Sequence, residues 1–98
     1  MMMTKTVITI GFNDKDTKFQ LYPDRFYYNK IDELLKLNNI EAATLVKCEG
    51  YYKGKKENSM QVILLNTLNI QGFIKDIKEH LNQECVMVEY QEIQCNFI

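Results

Sequence analysis

The sequence predicts an α+β domain whose elements follow the order β-α-β-β-α-β, and three observations carry that expectation. Two segments place apolar residues at helical spacing: Tyr28, Ile31, Leu34 and Leu35 in the first, and Ile70, Phe73, Ile74, Ile77 and Leu81 in the second. Four stretches alternate with period two around them, at Thr6 to Phe12, Ala43 to Tyr52, Ser59 to Leu65 and Cys85 to Tyr90. Finally, 98 residues suffice for one cooperative core and not for two, and a single Pro with four Gly leaves no linker, so residues 1–98 are expected to form a single domain.

In the first strand Ile8, Ile10 and Phe12 fall on one face and Val7 and Thr9 on the other. The polar run Asn13 to Lys18 ends it; Pro23 restricts the backbone before it, and Phe19 and Leu21 read as a short edge strand or a lid over the core. Asn29 is the expected cap of the first helix, with Asp32 favouring its amide end, and Asn38-Asn39 closes it. Along the second strand Leu45 and Lys47 alternate with Val46 and Cys48. Gly50 and Gly54 bracket the expected tip of a long hairpin. Asn69 or Thr67 caps the second helix, where Gly72 costs about 1 kcal/mol relative to Ala. In the last strand Val86, Val88 and Tyr90 share a face, and the alternation at Ile93 and Cys95 extends it or adds another. Met1 to Met3 are expected to lie outside the ordered part.

This order is the ferredoxin-like split βαβ arrangement, a four-stranded antiparallel sheet with two helices on one face. The other face would then carry Val7, Thr9, Lys47 or Cys48, Gln61 and Met87. That mixture is too apolar for a surface wholly in water, which argues for a partner.

Charge and composition remove several functions. The formal net charge is -1, with seven basic and seven acidic residues up to Glu49 and five against six after it, a balance that disfavours both a nonspecific nucleic-acid binder and an acidic nucleic-acid mimic. The apolar run Val7 to Ile10 is too short for a leader or a membrane span, and a cytoplasmic location is expected. Cys48, Cys85 and Cys95 have no C-x-x-C spacing; the first two read as small strand hydrophobes and the third as an exposed thiol.

His80 is the one histidine and has no ligand at metal spacing, so no metal and no organic cofactor is expected. The run from Asn13 to Lys18 fails as a calcium loop, because Lys18 and Phe19 stand where an oxygen ligand and a Gly are needed. A looser divalent-cation site from Asp14 and Asp16 with Glu57 or Glu49 is the only metal reading left. Phosphate-loop, dinucleotide and nucleophile-elbow motifs are all missing from the sequence, so the chain is read as a non-enzyme, with a small enzyme or divalent-cation-binding domain as an alternative.

The hairpin segment Gly50 to Lys56 concentrates Tyr51, Tyr52, Lys53, Lys55 and Lys56. Aromatic rings and amines in that pattern suit a protein-binding protrusion or, alternatively, single-stranded nucleic acid. Asp14, Asp16 and Glu57 would meet a basic surface beside them.

The stretch Ile8 to Gln20, and Gly50-Tyr51 followed by Glu57-Asn58-Ser59, together resemble small uncharacterised accessory proteins of phages and mobile elements in Gram-positive bacteria. The resemblance implies a protein-binding accessory or regulatory module, including inhibition of a host defence protein, and transfers no catalytic residue. The partner is expected to be a protein, either a host factor or a second copy in a homodimer.

Overall fold

A computed structural model describes residues 1–67 and 69–98. Four strands and two helices follow one another as β1 (Met2–Gly11), α1 (Asp24–Leu37), β2 (Thr44–Tyr52), β3 (Lys55–Leu65), α2 (Gln71–His80) and β4 (Met87–Gln94). The strands form one antiparallel sheet in the order β2-β3-β1-β4, with both helices on one face, so the ferredoxin-like fold is the one observed.

The alternation along β1 decides the layering. Ile8, Ile10 and Phe12 are fully buried with Met60, Val62 and Leu64 of β3, and the helices cover them with Tyr27, Ile31 and Leu34 of α1 and Phe73 and Ile77 of α2. Each fully buried side chain of this size contributes about 1.5–3 kcal/mol relative to an exposed one. Phe12 stacks on Tyr27 with ring centroids 4.4 Å apart.

Several boundaries differ from the sequence reading. The first helix begins at Asp24 rather than near Asn29: Pro23 stands at its N-cap with φ -60, a value already suited to a helix start, and Tyr27 rather than Tyr28 enters the core. Phe19 and Leu21 form no strand; one bridge, Asn13 to Gln20, closes a compact loop. Met2 opens β1 opposite Gln94, so the N-terminal methionines are ordered by the extension of β4.

Gly50 lies inside β2, and the turn is made by Lys53 and Gly54 alone, both at positive φ (52 and 78), the type I′ geometry that matches the twist of a two-residue hairpin. Cys85 is exposed and lies outside β4, while Cys95 is half-buried with its Sγ 3.0 Å from Met3 Sδ. Among the described residues no helix is long and apolar enough to cross a membrane.

Candidate functional site

The register separates the two faces of the sheet. Pairing of Gly11 with Ser59, Ser59 with Cys48, and Gly50 with Glu57 puts these five residues on the face away from the helices, at its hairpin end. Lys47, paired with core residue Met60, points to the helix side, so of the two alternatives it is Cys48 that faces outward. Four of the five, Gly11, Cys48, Gly50 and Ser59, are small.

Glu57 is the one long side chain among them. Its carboxyl group lies over Gly11 so closely that a Cβ at that position would overlap it, and its Oε2 accepts the Asn13 backbone N–H at 2.9 Å. The missing side chain at position 11 is thus what lets a carboxylate lie flat on the sheet. Among the described residues no lysine, arginine or histidine forms an ion pair with it; the recorded pairs are Lys30–Glu33 and Lys56–Glu49.

Ser59, almost wholly buried, donates its hydroxyl to the Glu57 backbone carbonyl at 3.2 Å and steadies the same stretch of strand. Further along the face Gln61 Nε2 donates to Thr9 Oγ1 at 3.2 Å. Burial holds the Cys48 thiol above its ordinary pKa, so it stays protonated at neutral pH.

The hairpin residues expected to act together are divided between the faces. Tyr52 opposes Lys55 on the Glu57 side, whereas Tyr51 opposes Lys56 on the other. Lys53 Nζ lies 5.3 Å from the Tyr52 ring centre, Lys55 Nζ lies 5.2 Å from that of Phe19, and Lys56 pairs with Glu49 at 3.0 Å. Tyr52 is thereby a diagonal neighbour of Glu57 across the hairpin, within reach of a ligand that touches both.

Asp14 and Asp16 are elsewhere. Asp14 is nearly buried, its Oδ2 accepts the backbone N–H groups of Asp16 and Thr17, and Asn82 Nδ2 donates to its Oδ1 at 2.7 Å and to Asp16 Oδ2 at 2.9 Å. The Asn82 amide first, and then the Thr17 N–H, hold the Asp14 carboxyl below its usual pKa. These oxygens are committed to tying the loop to the end of α2, and among the described residues no three His, Cys, Asp or Glu side chains gather as metal ligands.

Sequence reasoning singled out Glu57 but not the group it rests on. Gly11 and Glu57 are brought together only by the pairing of β1 with β3, and spacing along the chain carries no trace of that. The one sequence signal was a Gly at the end of an otherwise β-branched strand, where glycine weakens a strand unless something approaches it closely.

Two solved structures of a phage SAM lyase resemble this chain. The apo form has a TM-score of 0.67 and 27% identity over 91% of this chain and 79% of its own. The complex with S-methyl-5'-thioadenosine gives 0.66 and 25% over 92% and 81%. A nitrogen regulatory PII-like protein from Thiomonas intermedia, bound to ADP, AMP and bicarbonate, shares the fold, with a TM-score of 0.57 and 13% identity over 100% of this chain and 97% of its own. No family model and no curated protein matches the sequence.

The likeness to an enzyme corrects the expectation of a non-enzyme, which had rested on the lack of a linear motif. A carboxylate set by strand pairing needs no such motif. The phage part of the sequence resemblance agrees with this match, which does not extend to Gram-positive hosts or to the quoted turn and hairpin motifs.

Proposed function

We propose that this chain is a small lyase acting on S-adenosylmethionine or a closely related sulfonium compound, with Glu57 in its active site. The observation that carries the reading is the Glu57 carboxylate lying on an open sheet face over Gly11, held by the Asn13 N–H and in no ion pair among the described residues. A sulfonium is a cation with an apolar surround, the complement of a carboxylate set among small side chains. The likeness to the phage SAM lyase supplies the substrate class.

Release of S-methyl-5'-thioadenosine from such a substrate breaks the bond between sulfur and the γ-carbon of the amino-acid arm, and sulfur keeps the electron pair to become a neutral thioether. A lyase adds no water, so the arm supplies its own electrons: its carboxylate closes on the γ-carbon, or a proton leaves the neighbouring carbon and a double bond forms. At the sulfonium end Glu57 orients the arm in the first route and accepts the proton in the second. Tyr52, on the same face, offers an aromatic surface for the nucleoside.

The test is incubation with S-adenosylmethionine and chromatography of the products. Release of S-methyl-5'-thioadenosine, lowered by roughly 10²-fold or more in Glu57→Gln with an unchanged circular dichroism spectrum, is expected. Wild-type protein that releases none, or a Glu57→Gln variant at full rate, overturns the reading.

The rest of the open face favours self-association. Val7 pairs with Ile63, Val46 and Met87 are 38% and 54% exposed, and together they make an apolar half of the face that carries Glu57. A second copy laid over this face buries it and removes water from Glu57, which strengthens every electrostatic contact there. Such an interface needs roughly 1,000 Å² of total buried area. Light scattering is expected to give a multiple of 11.6 kDa that falls to the monomer in Val46→Lys; a wild-type monomer at every concentration rejects the idea.

A further inference from the structure

We propose that the free edge of β4 and the groove beside it take an extended acidic peptide of a partner protein, which adds as a fifth strand between β4 and α2. The site lies on the helix side of the sheet, across from Glu57, and does not depend on the lyase reading.

The first support is the edge itself. β4 ends the sheet. The Cys95 N–H donates to the Met1 carbonyl at 2.9 Å, which fixes the parity of the ladder: Ile93, Gln91, Glu89 and Met87 bond inward to β1, and the backbone groups of Val88, Tyr90, Glu92 and Gln94 point out. An unprotected row of this kind is a template for another strand.

The second support is a groove of about 1100 Å³ between this edge and α2. Val88 and Tyr90 line it from the helix side of β4, so the residues that present free backbone groups also shape the groove, and Ile74 of α2 lines it too. An extended peptide held between an edge strand and a helix is an established mode of recognition, in which main-chain bonds give affinity and alternate side chains give specificity.

Charge selects the peptide. Lys15 and Lys18 approach the groove from the 13–20 loop, and Lys75 and Lys78 from α2. Three carboxylates, Asp16, Glu79 and Glu84, also line it, so the four ammonium groups leave the groove with one net positive charge. Acidic side chains on alternate residues of the added strand lay their methylenes along Val88 and Tyr90 and bring their carboxylates to the lysines.

The probe is the blocked synthetic peptide (Glu-Val)4, titrated into the isotope-labelled full chain and followed by amide NMR, with (Lys-Val)4 and ATP as comparisons. Expected are shifts and slowed exchange at the Val88, Tyr90 and Glu92 amides, weakening with salt. A double variant Lys75→Glu/Lys78→Glu should lose at least tenfold in affinity with S-adenosylmethionine turnover unchanged. The proposal is overturned by absence of shifts at millimolar peptide, by equal response to (Lys-Val)4, or by ATP moving the groove while the peptide does not. It is equally overturned if the β4 edge amides are protected without peptide in a concentration-dependent way, which makes a second copy the occupant. Failure of turnover with peptide binding intact removes only the lyase reading.

Discussion

Adjacent residues of β1 belong to two different molecules in effect. Ile8, Ile10 and Phe12 are sealed beneath the helices, while Val7, Thr9 and Gly11, each one residue away, face outward in a layer with no helix over it. On the covered face size is what matters, because interiors are packed to crystal density. On the open face smallness matters instead: Gly11 makes room for the carboxylate of Glu57. One strand thus serves stability with its even-numbered residues and, on the reading above, chemistry with its odd-numbered ones.

The largest expected effect breaks the covered face. Phe12→Ala removes a fully buried ring stacked on Tyr27 and is expected to cost about 3–5 kcal/mol, enough to unfold much of a domain this size. Val7→Ala, on the open side of the same strand, should cost less than about 1 kcal/mol in the isolated chain. Urea denaturation of the two variants checks the contrast; equal losses would mean that the open face is as tightly packed as the core.

A smaller change sharpens the open side. Gly11→Ala puts a methyl group where the Glu57 carboxyl lies, so the carboxylate must leave its hydrogen bond from the Asn13 N–H. A displacement of about 1 Å at a reacting group lowers turnover by roughly 10²-fold, and stability should change far less than in Phe12→Ala. Product release measured beside a thermal melt separates the two quantities. Full activity in Gly11→Ala would show that the position of Glu57 over the strand is unimportant.

The two faces also differ in how much of them could be read from the sequence. The covered face was legible because burial writes a period into the chain: every apolar residue of the second helical stripe, from Ile70 to Leu81, is buried or packs on the core. The start of α1 was misplaced because Asn29 is a good cap in isolation, while Pro23 and Asp24 together make an earlier start, with Asp24 also accepting hydrogen bonds from Gln20 and Asn58. The open face shows in the sequence only as an apolar excess and as one acidic residue, Glu57, beside the hairpin. Its geometry depends on Gly11 meeting Ser59 and Gly50 meeting Glu57, and register between distant strands leaves no local mark.

The smallest expected effect sits where the two faces part. Asn13 and Asp14 follow each other at the end of β1, and Asn13 gives its N–H to Glu57 on the open side while Asp14 accepts the Asn82 amide at the end of α2. The Asp14 carboxyl is held below its ordinary value of 3.8 in the folded chain, by Asn82 first and by the Thr17 N–H next. Its ionised form therefore favours folding above that value, and the contribution is lost as pH falls through the still lower folded pKa. Urea midpoints of wild type and Asp14→Asn should differ at neutral pH and converge as the pH is taken below 3.8. Parallel midpoints would assign the difference to packing rather than to the carboxylate. Turnover should follow the same order, with Asp14→Asn close to wild type at neutral pH, since the group that holds Glu57 is the backbone of residue 13 and not the side chain of residue 14.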